Sequence, residues 1–208
     1  MNIPLANDWQ SAPADVFWNE IARFDHVVQV YDNDEIFIDT LTGFVESAIR
    51  SHESAIVIAT NAHLSALEAR LENNGNAIET LISENKFIPV GAEDMLHDIL
   101  VNGKPDENKF NEAISGLLQH AKLNLKNVRA FGEMVAILLA EGKKETTLQL
   151  EGLWNKFSMQ NSFLRYCAYA KELFADDGAG VDETVCACHS KVIAGSGNQQ
   201  KQVSYRNV

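Results

Sequence analysis

Short apolar runs alternate with longer amphipathic stretches through most of this 208-residue chain, and this alternation constrains the fold more than any other feature. The runs 26–31 and 54–60 are rich in β-branched residues, which is typical of strands, and each precedes a stretch with apolar residues at helical spacing. The second run is almost wholly apolar, as expected for a strand covered on both faces. The alternation predicts an α/β fold, a mostly parallel sheet with helices on both faces.

The same pattern continues toward the C-terminus and predicts a sheet of about six strands. The further predicted strands are 87–90, 128–131, 163–169 and 183–188. The predicted helices are 35–49, 61–71, 94–101, 107–120, 132–140 and 144–158. Residues 1–24 form an N-terminal extension with a short helix at 16–24, residues 25–193 form the α/β domain, and the polar stretch 194–208 is expected to be a flexible tail.

Charge and hydropathy exclude several kinds of partner. The formal net charge of −12 argues against a general affinity for nucleic acid or anionic lipid. The chain has no apolar run near the ~20 residues that span a membrane, and its N-terminus lacks the features of a secretion signal. We therefore expect a cytoplasmic protein with no nucleic-acid or membrane partner.

The three cysteines indicate reduced thiols rather than disulfides, because their number is odd. Cys186 and Cys188 stand close to His189, but alternate positions of a strand face opposite sides and would diverge. Zinc also needs further ligands, and no second cysteine pair is present. We expect no metal and no cofactor.

The first strand-to-helix turn lacks a phosphate-binding loop. No G-x-x-x-x-G-K-[ST] motif occurs in the chain, and the turn instead contains Asp32, Asp34 and Glu35. These carboxylates occupy the positive end of the helix dipole and repel phosphate. Asp32 or Asp34 is expected to cap the helix, with cation or polar-ligand binding as the alternative.

Arg129, Glu133 and Glu151 are charged residues within otherwise apolar segments. Buried charges are rarely left unpaired, because desolvating an ion costs several kcal/mol. One interpretation is a structural ion pair of Arg129 with Glu133 or Glu151. The other is a polar pocket walled by Trp154 or Tyr169, and the two are compatible.

The parallel topology predicts where a ligand would bind. Ligands of open α/β sheets lie at the carboxyl ends of the strands. No nucleophilic triad or G-x-S-x-G elbow is present, so no catalytic residues are expected. The expected ligand-binding residues are Tyr31, Asp32, His63, Glu133, Tyr169 and His189.

Several segments, in order, resemble a known family. They are His26-Val-Val-Gln-Val-Tyr-Asp32, Ala55-Ile-Val-Ile-Ala-Thr-Asn-Ala-His63, Gly103-Lys-Pro-Asp106, Arg129-Ala-Phe-Gly-Glu-Met-Val135, Leu150-Glu-Gly-Leu-Trp-Asn155, and Cys167-Ala-Tyr169 with His189-Ser190. Together they resemble the MEDS domain, the sensory domain of methanogens, methylotrophs and the dichloromethane-responsive regulator, over about residues 25–193. Ala170 departs from the pattern, since a proline often follows the Cys-Ala-Tyr motif.

The resemblance implies a RecA-like three-layer sandwich, of the RecA or clock-ATPase type, that has lost its phosphate loop. It implies a non-enzymatic domain that senses a small organic ligand. Because the flanking segments are short, we expect signalling in trans to a histidine kinase or transcriptional regulator, with a homodimer also possible. The alternative is a degenerate RecA-like nucleotide-binding protein or cryptic ATPase, with Glu133 as base or metal ligand. A third hypothesis is a purely structural dimer module.

Overall fold

An eight-stranded sheet organises the part of the chain that the computed structural model describes, which is residues 10–125, 127–174, 189–195 and 202–207. Its strands are β1 (Gln10–Pro13), β2 (His26–Tyr31), β3 (Ser54–Ala59), β4 (Phe87–Gly91), β7 (Val128–Gly132), β8 (Leu164–Ala170), β9 (Lys191–Gly195) and β10 (Gln202–Asn207). Two short strands, β5 (Leu100–Val101) and β6 (Lys104–Pro105), form a separate antiparallel pair. The order in the large sheet is β1-β10-β9-β2-β8-β7-β3-β4.

The helices cover both faces of this sheet. They are α1 (Ala14–Glu20), α2 (Asp34–Arg50), α3 (Asn61–Asn73), α4 (Ile78–Ser83), α5 (Ala92–Ile99), α6 (Glu107–Ala121), α7 (Met134–Ala140) and α8 (Lys144–Gln160), with a 3₁₀ turn at Lys171–Phe174. Helices α1 to α4 pack on one face, with apolar residues such as Phe44 and Leu67 against strand residues such as Val57. Helices α5 to α8 pack on the other face, with residues such as Phe110 and Trp154. The three layers confirm the predicted α/β sandwich.

Strand alternation assigns each strand residue to one of the two cores. In β3, Ala55 and Val57 face α1 to α4, whereas Ile56 and Ile58 face α5 to α8. Both sets are buried, which explains the continuous apolar run that predicted this strand.

Six neighbouring strands, from β9 to β4 in the sheet order, run parallel, and β1 and β10 extend the sheet in antiparallel fashion. Five of the six predicted strands are confirmed within two residues at each end. The sixth, 183–188, lies outside the described residues, and the strand that pairs with β2 on that side is Lys191–Gly195.

The terminal segments differ from the sequence predictions. The segment 194–208 was expected to be a flexible tail, but residues 202–207 form β10 and pair with β1 and β9. Val203 is buried in the same apolar cluster as Phe17 of α1, and Tyr205 packs against that cluster, so two side chains of this polar segment attach the strand to the core. Helix α1 also begins and ends earlier than predicted, at residues 14–20. No described helix is both long and apolar enough to cross a membrane.

Register brings the carboxyl ends of the central strands together. Gly132, the last residue of β7, pairs with Ile58 of β3 and with Cys167 of β8. Tyr31, the last residue of β2, pairs with Ala170 of β8. The residues that follow β2, β3 and β7 therefore share one edge of the sheet, where the sequence predicted a site.

Candidate functional site

Glu133 is the buried carboxylate at this carboxyl edge. It follows β7 directly, and its backbone N–H donates to the Ile58 carbonyl at 2.9 Å, continuing the pairing with β3. Its Oε2 accepts a hydrogen bond from the Thr60 backbone N–H at 2.9 Å, and its Oε1 lies 2.7 Å from His63 Nδ1. The side chain is held by two groups from one neighbouring strand-to-helix connection.

His63 lies in the first turn of α3, where Thr60 caps the helix by accepting a hydrogen bond from the His63 N–H at 3.2 Å. Its Nε2 is 3.9 Å from Asp34 Oδ1, so the ring lies between two carboxylates. Burial opposes the imidazolium form, but the hydrogen bond and charge of Glu133, with Asp34 and Glu93, outweigh it and raise the pKa of His63. The raised pKa widens the pH range in which His63 is an imidazolium beside Glu133.

Aromatic rings flank this pair. The Tyr31 ring stacks on Phe37 with centroids 4.8 Å apart and planes 16° apart. Phe37 in turn contacts the His63 ring edge-on at 4.9 Å. Burial, helped by the charges of Glu133, Asp34 and Glu172, raises the pKa of the Tyr31 hydroxyl, which therefore stays a neutral donor.

The start of α2 is acidic and capped from within the chain. Asn33 Oδ1 accepts from the Ile36 N–H at 3.0 Å, so the cap is Asn33 and not Asp32 or Asp34 as predicted. Asp34 lies in the first turn, while Asp32 forms an exposed ion pair with Lys171 at 2.9 Å. Asn33 lies between the two predicted capping residues, so the observed N-cap differs from either prediction by one position.

Tyr169 does not join the cluster of Tyr31, His63 and Glu133. Its side chain faces the opposite helical layer, where its hydroxyl donates to Glu151 Oε1 at 2.7 Å. Glu151 is 3 % exposed, and burial raises its pKa despite the hydrogen bond from Tyr169 and the charge of Arg165. Tyr169 and Tyr31 are one residue out of step in the register between β2 and β8, so their side chains alternate to opposite faces.

His189 lies at the other end of the sheet, and its placement at the carboxyl edge was wrong. The predicted strand 183–188 would have placed His189 directly after its last residue, whereas the observed strand begins two residues after His189. The Ser190 N–H donates to the carbonyl of His26, the first residue of β2, at 2.8 Å. His189 is therefore at the amino edge, with its ring centroid 3.7 Å from that of His26.

The predicted ion pair of Arg129 with Glu133 or Glu151 is also wrong. Arg129 Nη2 lies 2.5 Å from Glu53 Oε2, and its Nε donates to the same oxygen at 2.7 Å. Glu133 comes four positions after Arg129, which is about 13 Å along an extended strand. Arg129 also faces α2, whose Ser47 Oγ accepts from its Nη1 at 3.1 Å, while Glu151 belongs to the layer on the other face.

Sequence reasoning missed three contributors to these contacts. Phe37 is one of several apolar residues at helical spacing in α2, and Glu53 stands in the short turn before β3 without any periodic signal. The backbone N–H of Thr60 has no side-chain signature at all. The position of Thr60 at the end of a strand next to β7 is the feature that could have indicated it.

The fold defines the class of protein first. The chain superposes on the protein PH0250 from Pyrococcus horikoshii OT3 with a TM-score of 0.61 and 9 % identity. The superposition covers 89 % of this chain and 88 % of the other. It also superposes on the KaiC-like protein PH0186 from hyperthermophilic archaea, Pyrococcus horikoshii OT3, with a TM-score of 0.58 and 12 % identity over 89 % and 80 % of the two chains. The chain thus has a RecA-like α/β fold. A comparison with curated proteins found no match.

The family follows from the sequence itself. The family model described as MEDS, methanogen/methylotroph, DcmR sensory domain, matches residues 25–190, most of the chain. This chain belongs to the MEDS family. The match confirms the resemblance inferred from the ordered segments and indicates a sensory role.

Proposed function

We propose that this chain is a non-enzymatic sensory domain that binds a small organic molecule beside Tyr31, His63 and Glu133 and signals in trans to a partner. The observation that carries the proposal is the pair of buried Glu133 and half-buried His63, 2.7 Å between Oε1 and Nδ1, at the carboxyl ends of the parallel strands. This edge is where α/β folds bind ligands. The family's description as a sensory domain supports the same role.

The chemistry of the edge favours a neutral or cationic ligand. Both oxygens of Glu133 are already engaged, by Thr60 and His63, so a ligand meets His63 Nε2, the Tyr31 hydroxyl and the carboxylate of Asp34. Asp34 is 74 % exposed and adds negative charge at the rim. A small amine or alcohol can hydrogen-bond there, and an ammonium group can also contact the aromatic rings. A phosphate group meets repulsion from Asp34 and Glu35.

Three helices begin at this edge, which provides a route for signalling. Tyr31 precedes α2, His63 lies in the first turn of α3, and Glu133 precedes α7. A ligand that competes for the His63 ring changes the contact that joins α3 to the start of α7. The proposed readers of that change are a histidine kinase or a transcriptional regulator in trans, or a second copy of the chain.

Thermal denaturation with small probes tests the proposal. Methylamine, trimethylamine, methanol and dichloromethane are titrated into the wild-type chain and into Glu133→Gln, His63→Gln and Glu112→Gln. Glu112 is exposed on α6 and serves as the matched control. A ligand that binds only the native state raises Tm in a saturable way.

We expect one class of probe to raise Tm in the wild-type chain and in Glu112→Gln, with at least a tenfold loss of affinity in Glu133→Gln and His63→Gln. A probe that binds both of these variants as tightly as the wild type would place the ligand elsewhere. Absence of any saturable shift across the four probes would contradict binding of this ligand class.

A further inference from the structure

Three buried donor side chains meet near the first residue of β2, beside a strand residue on the face that packs against α5 to α8. They are His26 at the start of β2, Cys167 in β8 and His189 just before β9. His26 Nε2 lies 3.3 Å from Cys167 Sγ, and one donor atom from each residue lies within 4.8 Å of the other two. All three residues are less than a tenth exposed.

Strand order explains how residues so distant in sequence converge. Strand β2 lies between β8 and β9, so its first residue has both as neighbours. His26 is opposite Arg165 in β8, and Cys167 follows two positions later on the same face. The hydrogen bond from the Ser190 N–H to the His26 carbonyl places His189 beside His26, with the rings 3.7 Å apart and tilted by 37°.

The separations are close to those of a tetrahedral metal site. Zinc binds imidazole nitrogen at about 2.0 Å and thiolate sulfur at about 2.3 Å, which sets tetrahedral N···S distances near 3.5 Å. The His26–Cys167 distance of 3.3 Å already meets that value. The widest separation between two donor atoms is at most 4.8 Å. Side-chain rotations that move the donor atoms by about 1 Å bring this separation to the tetrahedral value.

A small void borders two of the donors. Its volume is about 10 Å³, and its walls include His26, Cys167, Gly132 and Trp154. A space of this size is close to that of one water molecule or one ion. Two imidazoles and one thiolate are ligands that suit zinc and similar metals, and three protein ligands leave a fourth position for water.

We propose that His26, Cys167 and His189 bind one divalent transition-metal ion of the zinc class. The ion joins β2, β8 and β9 and therefore stabilises the attachment of β9 to the parallel sheet. Cys167 pairs with Gly132, the residue before Glu133, but its side chain lies on the face covered by α5 to α8, whereas Glu133 contacts α3. The metal site therefore uses none of the residues of the proposed ligand site. The alternative is a purely structural contact, in which the Cys167 thiol donates to His26. Burial, helped by the charge of Glu151 and opposed by that of Arg165, raises the pKa of Cys167, which favours the protonated thiol in this contact.

Metal titration of the full chain distinguishes the proposed metal site from a purely structural contact. The chain is treated with a chelator, dialysed, and titrated with Zn²⁺ by calorimetry and with Co²⁺ by absorption spectroscopy. We expect one Zn²⁺ per chain, a rise in Tm on loading, and a thiolate-to-cobalt charge-transfer band. Cys167→Ser and His189→Gln should each lower zinc affinity at least 100-fold, and Cys167→Ser should abolish the band. His97→Gln is the control, because the side chain of His97 is 90 % exposed and lies on α5.

Each other result overturns the site. Failure of the wild-type chain to bind Zn²⁺ in a one-to-one ratio leaves the thiol–imidazole hydrogen bond as the explanation. A charge-transfer band that survives in Cys167→Ser assigns the metal to another thiol. If a variant does not fold by circular dichroism, X-ray absorption of the zinc-loaded wild-type chain decides. It should show a single sulfur with nitrogen or oxygen neighbours, and a shell without sulfur or with more than one contradicts the assignment.

Discussion

Three buried charged side chains each contact a partner from another element at hydrogen-bond distance. Arg129 pairs with Glu53, Glu133 with His63, and Glu151 with the hydroxyl of Tyr169. The first two partners carry or can carry the opposite charge, whereas Tyr169 is neutral. Burial therefore raises the pKa of Glu151, because no described cation forms an ion pair with it to offset the loss of hydration.

The His63–Glu133 pair makes stability depend on pH. Because the folded pKa of His63 is raised, its stabilisation is fully present below the ordinary pKa of about 6.5 and is lost as pH rises through the folded value. His63→Gln should lower the free energy of unfolding by about 1–3 kcal/mol near pH 6 and by less near pH 9. Urea denaturation across this range measures it. Exposed His97→Gln should show no such pH dependence, and a His63→Gln deficit that stays constant with pH would refute the imidazolium assignment.

Glu151 should act in the opposite sense. Its raised pKa means that the native state holds the proton more tightly than the unfolded chain, so ionisation costs stability as pH rises through the interval between the two pKa values. Glu151→Gln removes that cost while keeping an oxygen to accept from Tyr169. We expect a higher Tm than wild type at pH 8, with the difference shrinking toward pH 4. Glu112→Gln is the exposed control, and a Tm for Glu151→Gln below wild type at pH 8 would show that the carboxylate is stabilising.

Much of the candidate site could be predicted from strand ends, but the pairings could not. Tyr31, His63 and Glu133 each lie at or just after a strand that sequence patterns identified, and parallel topology then brings them to one edge. The partner of Arg129 depends on which face the side chain points to and on the turn that holds Glu53. Neither has a periodic signal. The convergence of His26, Cys167 and His189 likewise depends on β9, which starts later than the predicted strand.

At the scale of elements, periodicity did not predict the antiparallel edge, helix α4 or the short β5–β6 pair. Strands β1 and β10 are short and polar, and they are stabilised by contact with α1. The Tyr205 ring lies 4.8 Å from Phe17, whose own ring lies 4.8 Å from Trp18 in the core. A strand with one buried side chain gives too little alternation to detect, whereas β2 and β3 are buried along their length.

A charge introduced at position 203 of this edge should lower the free energy of unfolding, whereas a charge at position 204 should have little effect. Val203 is 5 % exposed, and Ser204 points the other way. Val203→Asp should lower the free energy of unfolding by about 2–4 kcal/mol, because valine burial is lost and a carboxylate is desolvated. Ser204→Asp should change it by less than about 0.5 kcal/mol. Chemical denaturation measures both, and equal effects of the two substitutions would mean that β10 does not pack on α1 in solution.

At the scale of the whole molecule, a RecA-like sheet retains its architecture while the turn after its first parallel strand is acidic. Asn33 caps α2, and Asp34 and Glu35 occupy the first turn, so the helix N-terminus is already neutralised. The chain carries a formal net charge of −12, which adds a general repulsion toward polyphosphates. The fold and the proposed ligand preference are therefore separable: the layers come from strand burial, and the proposed preference comes from a few residues at one edge.

A nucleotide-binding assay tests whether the RecA-like fold is present here without a preference for nucleotides. Millimolar MgATP should leave Tm unchanged and release no phosphate, because Asp34 and Glu35 repel the anion and no described backbone loop cradles it. Thermal denaturation and a phosphate-release assay measure the two properties on the same preparation. If instead MgATP raises Tm in a saturable way and Glu133→Gln abolishes the effect while Glu112→Gln does not, the edge retains a nucleotide site with Glu133 in it. If the wild-type chain also releases phosphate and Glu133→Gln does not, the chain is an ATPase. Glu112→Gln should keep this activity, because Glu112 is exposed on α6, away from the carboxyl edge.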